Sequence, residues 1–184
     1  MAVDSLLVRL RLLRLQREGR IFDPEDNPNG FIPGEGAVAL LLEPPRRGDP
    51  APLLAGLGIG HERADEALVT GQACSAAFQK AMADGRLESA IPTCASVDDA
   101  STRTGEEISF AKMRPPFERA RELQIFYPAI CMGEAGVATS LLGVAMLAFF
   151  MSKNVVDGLG LALVTGAGPT RAAVAVTPPP RRGR

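Results

Sequence analysis

Three cysteines and a single histidine are the side chains of this 184-residue sequence best suited to nucleophilic or general-base chemistry. Cys74, Cys94 and Cys131 are an odd number, widely spaced, without a CxxC pair, and set among apolar or small residues. Thiols in such surroundings stay protonated, whereas nucleophilic attack needs a thiolate. The pattern predicts reduced, buried thiols in a cytoplasmic protein rather than a disulfide framework. Cys131 falls within three residues of a predicted helix start, where the dipole lowers a thiol pKa, but Ile130 and Met132 flank it and no base accompanies it. It too is read as a core thiol. His61 follows a strand-like stretch and reads as a solvated loop histidine.

The remaining polar candidates are acidic. Asp98, Asp99, Glu106 and Glu107 cluster without histidine or cysteine, a weak divalent-metal pattern better explained by a solvated loop and the start of a helix. Glu35 is expected to hold a turn by accepting backbone N–H bonds. Gly56, Gly58 and Gly60 have the wrong spacing for a dinucleotide fingerprint, and the HERADE that follows is charged rather than a tight helix opening. No catalytic, cofactor-binding or metal-ligating residue is assigned from these patterns. Twenty Lys and Arg against twenty-one Asp and Glu leave a net charge of -1, so no global field draws the chain to nucleic acid or acidic lipid.

The elements that must position these residues alternate. A helix is predicted over residues 4–18, with apolar stripes at Leu6, Leu10, Leu13 and at Val8, Leu12, Leu15 that call for neighbours on two sides. Strands are predicted within 30–43, over 52–60 and over 91–97, and helices over 64–84, 106–123 (broken at Pro115-Pro116) and 134–152. GLALVTGAGPTRAAVAV closes the chain as strand, turn and strand, and residues 178–184 read as a disordered tail. Interleaved strands and helices predict a layered α/β domain. The stretch 131–150 has one charge, Glu134, but lacks anchoring residues on both flanks, and no membrane span is expected. Gly136, Ser140 and Gly143 give its helix a thin face for close packing. MAVDSLLVRL is not a signal peptide, because Asp4 and the arginines interrupt it.

GFIPGEGAVALLLE, RLLRLQREGRIFDPEDNPNG, residues 129–136 and the apolar helix and closing hairpin after them are four ordered motifs that resemble those of the β-ketoacyl synthases, a thiolase-like family. GFIPGEGAVALLLE matches G-x-x-x-G-E-G-A with its apolar strand and acidic residue, from Gly30 through Glu35 to Glu43. RLLRLQREGRIFDPEDNPNG resembles the preceding helix and loop; residues 129–136 fall in the slot of G-H-x-x-G-A-A-G; and the long apolar helix and closing hairpin agree in order. The resemblance implies part of a five-layered sandwich of two similar halves: residues 1–43 as the end of the first half, 53–177 as the second. It implies acyl transfer and decarboxylative Claisen condensation in fatty-acid or polyketide synthesis, an acyl carrier protein or acyl thioester as partner, and a homo-oligomer or a ketosynthase-like partner chain. It also implies that the acylated cysteine belongs upstream of residue 1. The stretch 95–104 lacks the family's first histidine, Ile130 stands at the second, and Ile125 stands at the usual lysine. A divergent chain without independent condensing activity is therefore expected, either a truncated synthase or a scaffolding partner.

Overall fold

The computed structural model describes residues 1–46, 49–62, 70–120, 122–165 and 168–179, without the side chain of Thr102. Two antiparallel strands, β1 (Ala2–Ser5) and β2 (Glu35–Val38), flank helix α1 (Arg9–Arg17). The main sheet is built from β3 (Leu53–His61), β4 (Pro92–Val97), β5 (Gln124–Phe126), β6 (Leu159–Val164) and β7 (Thr170–Thr177). Its order is β3-β7-β6-β4-β5, with β4 parallel to both β5 and β6 and the other pairings antiparallel. Helices α2 (Gln72–Asp84) and α3 (Thr102–Lys112) cover one face, while α5 (Val137–Ser152), entered through the short α4 (Pro128–Met132), covers part of the other.

Strand alternation divides the core. Leu159, Leu161 and Leu163 of β6 join Phe78, Met82 and Ile108 on the α2/α3 face, and Ala162 joins Cys94, Val144, Leu147 and Met151 on the α5 face. The glycines of β3 have a packing purpose. A Cβ on Gly56, Gly58 or Gly60 would overlap the carbonyl oxygens of Ala81, Ala77 and Ala73 respectively. Two strand residues advance about 6.6 Å and four helical residues about 6 Å, so each alternate glycine meets the next turn of α2. The same helix caps the strand's free edge: Leu57 N–H donates to Asp84 Oδ2 at 2.9 Å, and Lys80 Nζ donates to the Ile59 carbonyl at 2.8 Å. Edge groups covered this way resist pairing with another chain.

Several elements depart from the local pattern. The expected helix from residue 4 begins at Arg9, because residues 2–5 pair with β2 in the register Ala2↔Val38 to Ser5↔Glu35. Its two apolar stripes do not find two neighbours: Leu15 is buried, whereas Leu10 is 78% exposed and Leu7, Val8 and Leu13 are also exposed. The strand expected within 30–43 is confined to Glu35–Val38, and Leu41 and Leu42 beyond it are 89% and 68% exposed. Helix α2 starts at Gln72, after Gly71 at φ +65°; residues 64–69 of the expected helix lie outside the described residues, as do 180–184 of the expected tail. Helix α3 begins four residues early because Ser101 caps it, accepting from Thr104 N–H. It ends at Lys112, a single 3-10 turn (Phe117–Arg119) follows the prolines, and β5 was not foreseen in the sequence. Among the described residues no helix is long and apolar enough to cross a membrane.

The glycine contacts predict a contrast. Gly58→Ala should destabilise the fold by about 1–3 kcal/mol or more, through overpacking against backbone. Gly105→Ala, in α3 with nothing within 4 Å of the new Cβ, should stabilise by roughly 0.5–1 kcal/mol. Urea unfolding of the two variants beside the parent chain checks both signs.

Candidate functional site

The three parallel strands β4, β5 and β6 end side by side, and the residue following each is Asp98, Tyr127 and Thr165 respectively. From β4 the chain crosses to β5 by way of α3 on one face, then returns by α5 on the other face to β6 on the opposite flank of β4. Ligands of open α/β sheets bind outside the carboxyl ends of strands at such reversals of direction. This end of the sheet is therefore the candidate site.

Asp98 organises it. Its Oδ1 accepts the Thr165 N–H at 2.8 Å and the Thr165 hydroxyl at 2.7 Å, and its Oδ2 accepts the Ser140 hydroxyl of α5. One buried carboxyl thus joins the ends of β4 and β6 to a helix. Burial raises its pKa, against the opposing hydrogen bonds from Ser140 and Thr165. Beside it, Asp99 accepts the Ser101 N–H at 2.8 Å and the Thr104 hydroxyl at 2.6 Å, fixing the start of α3. Glu134, just before α5, is pushed up to about 7, first by burial and then by the charges of Asp99 and Asp98, with Arg20 opposing. A carboxyl in that range can take and release a proton near neutrality. Helix α5 has Gly136 at its N-cap and no capping side chain of its own; Asp4 of β1 supplies one, with Oδ2 accepting the Val137 N–H at 3.4 Å. Gly143 packs where an added methyl would lie 2.7 Å from Ser96 Oγ, so the thin face expected of this helix is used against β4.

On the α3 side the site opens into a cleft of about 630 Å³ between the 100–110 segment and Tyr127–Ile130, walled by Phe110, Tyr127 and Ile130, with Ser101, Glu106 and Ser109 along it. Burial raises the Tyr127 pKa. Ile130 is 67% exposed. Ile125 lies in β5 and is half-buried against the α2/α3 core.

The acidic residues grouped by sequence do not stay together. Asp98 is buried rather than solvated, Glu106 faces the cleft, and Glu107 is fully buried in the opposite direction. Glu107 receives a two-pronged Arg171 guanidinium, Nε to Oε2 and Nη2 to Oε1, both at 2.7 Å, and the Cys74 thiol donates to Oε2 at 3.4 Å. Burial works to raise the Glu107 carboxyl, but the Arg171 fork outweighs it and the net direction is downward. Among the described residues no three His, Cys, Asp or Glu side chains are grouped to hold a metal.

The thiols and the histidine have separate fates. Cys74 and Cys94 are buried as expected, and burial raises both pKa values. Cys131 is exposed, contrary to expectation, because α4 is a single short turn on the surface rather than the start of the core helix. His61 is exposed at the end of β3, with Nδ1 3.2 Å from the Thr170 hydroxyl, at the opposite edge of the sheet from the cleft. Glu35 accepts the Ser5 hydroxyl at 3.2 Å rather than backbone N–H groups. Sequence reasoning missed Ser140, Thr165 and Arg171. Only Arg171, a charge inside an otherwise apolar strand, carried a signal.

The chain shares its architecture with ketosynthases. A chain of AntDE:AntF, a type II polyketide synthase acyl-carrier protein in complex with its ketosynthase bound to the hexaketide, matches with a TM-score of 0.74 at 13% identity, over 96% of this chain and 55% of that one. The ishigamide ketosynthase/chain length factor matches at 0.68 with 15% identity, over 96% and 52%. The oxazolomycin ketosynthase domain OzmH KS7 of Streptomyces albus JA3453 matches at 0.71 with 10% identity, over 99% and 42%. The fold is thus a partial, ketosynthase-like thiolase fold, and the chain spans about half the length of these relatives. No protein-family model matches the sequence, and the search of curated proteins found no match.

Arg171→Met should cost about 3–5 kcal/mol, since it removes the two charged hydrogen bonds of the fully buried Glu107 and leaves it only the Cys74 thiol and the exposed Arg103, 3.5 Å away. Because the paired Glu107 titrates below the ordinary 4.5, its contribution is present above that pH and lost as the pH falls through the lower, folded-state value. Acid unfolding of the parent should therefore retain a transition that Arg171→Met loses.

Proposed function

We propose that this chain supplies the second half of a ketosynthase-like protein and does not condense thioesters unaided. The observation that carries the reading is the uncovered sheet face beside α5: Leu54, Leu57 and Ile59 of β3 are 41%, 66% and 51% exposed. Helix α5 is apolar on every side, as helices buried all round are, yet Val137 and Phe149 remain exposed. Leu41, Leu42 and Leu10 and Leu13 of α1 are exposed apolar side chains as well, and exposed apolar surface is what partners cover. In this reading residues 1–43 end the first half, residues 53–177 form the second, and a ketosynthase-like chain covers the bare face.

The chemistry of such an assembly is acyl transfer and decarboxylative condensation, with an acyl carrier protein or acyl thioester as the donor. The groups this chain brings to it are unsuited to start the reaction. Cys131 is exposed without a base on α4, and Ile130 stands where the family's second histidine is expected. A thiolate nucleophile and positioned donors for the enolate must come from elsewhere. A scaffolding role resembling that of a chain length factor follows from the same deficiency.

Two measurements test this. Incubation of the purified chain with an acyl thioester should give no mass increase; acylation at Cys131 would overturn the non-condensing reading. Size-exclusion chromatography should show an oligomer, or a stable complex with a ketosynthase-like partner, and Leu57→Glu with Ile59→Glu should abolish the association while leaving the melting transition of the chain in place. A monodisperse monomer that ignores such partners would overturn the half-protein reading.

A further inference from the structure

The cleft at the end of the sheet is walled by Phe110, Tyr127 and Ile130, and its polar lining is Ser101, Glu106 and Ser109. Both serine hydroxyl protons are committed within the chain. Ser109 Oγ donates to the Gly105 carbonyl at 2.8 Å, and Ser101 Oγ donates to Asp99 Oδ2 at 2.7 Å. A carbonyl oxygen and a carboxylate oxygen can only accept, so the direction of each bond is fixed. What remains for either serine to offer a guest is a lone pair.

The charges point the same way. Glu106 is exposed and, among the described residues, has no hydrogen bond or ion pair; Arg103 on the same helix lies 3.5 Å from Glu107 instead. Of the described residues that line the cleft, Glu106 alone is charged. Helix starts attract anions, but at this one the Ser101 N–H is held by Asp99 Oδ1 at 2.8 Å and the Thr104 N–H by Ser101 Oγ at 3.4 Å. The Asp99 carboxylate thereby already supplies the negative charge that a helix start favours. Phe110 is 41% exposed and Tyr127 is half-buried, and aromatic rings attract cations over their faces. A carboxylate, acceptor oxygens and two aromatic rings thus line one cleft of about 630 Å³, a size common among small-molecule sites.

We propose that this cleft binds an organic ammonium ion: Glu106 supplies the counter-charge, Ser101 and Ser109 accept from the ammonium N–H groups, and Phe110, Tyr127 and Ile130 hold the apolar body. An anion of the same shape meets like charge, and neither serine has a proton to give it. The lining belongs to this chain, so binding needs no ketosynthase-like partner and is separate from acyl transfer.

Benzylammonium, benzyl alcohol and phenylacetate share an aromatic body and differ in charge. Amide NMR titration of the full chain at neutral pH should show saturable shifts with benzylammonium, confined to residues 100–110 and 127–130. Benzylammonium should bind about fivefold more tightly than benzyl alcohol, and phenylacetate more weakly than either, the scale of an exposed ion pair with an aromatic wall. Glu106→Gln should remove most of the preference for the cation, and Phe110→Leu should weaken benzylammonium by about threefold, with the melting transition of each variant unchanged. Glu25→Gln, on the 19–34 loop, should leave binding as it is. The comparison of the three probes on the unaltered chain requires no variant. Shifts that do not saturate or that fall elsewhere, equal affinity for the alcohol, tighter binding of phenylacetate, a cation preference that survives Glu106→Gln, or an equal loss in Glu25→Gln would each overturn the proposal.

Discussion

A sheet with two apolar faces must be covered on both, and this chain carries cover for one and a part of the other. Helices α2 and α3 close the first face, using the glycines of β3 to bring α2 into backbone contact. Helix α5 lies over β4, β6 and β7 on the second face, and Leu54, Leu57 and Ile59 are left beside it. Burial of such side chains is worth roughly 25 cal/mol for each Å² removed from water, so the bare strip favours association with something of matching shape. The chain spans about half the length of the ketosynthase chains whose architecture it shares.

The polar groups occupy the gaps left by this packing. Asp98 ties two strand ends to α5, and Arg171 with Glu107 ties β7 to α3 and seats Cys74 of α2. Both carboxylates are buried, and both have their oxygens matched by donors, as buried polar groups require. Their settings nonetheless differ. Glu107 has a full counter-charge and stays ionised, whereas Asp98 has only neutral donors and is pushed toward protonation. Two acids nine residues apart thus serve different ends: one locks the core, and the other ties the strand ends to α5.

The sequence made the regular parts legible where local pattern and tertiary demand agree. The glycine-alternating β3, the apolar α5 and the closing β6–β7 hairpin show their period directly, and the GEGA and 129–136 motifs pointed to the architecture. Where distant pairing decides, the pattern misled. Residues 2–5 have helix-compatible spacing but pair with β2, and β5 is only three residues long. The acidic cluster misled for another reason: adjacency in sequence says nothing of which side of a helix start each carboxyl faces. Cys131 was misplaced because an apolar neighbourhood in sequence became an exposed turn in space. The partners of Asp98, Ser140 and Thr165, lie 42 and 67 residues away, and no local signal announces them.

The cap on α5 ties distant parts of the chain together. Asp4 and Val137 are 133 residues apart, so the contact that finishes the helix's first turn closes one of the longest loops available to the chain. Loop closure grows costlier with length, though slowly, and non-local contacts slow folding. The helix thus takes its first-turn acceptor from a strand near the other end of the chain, and removal of β1 would leave the Val137 N–H without it.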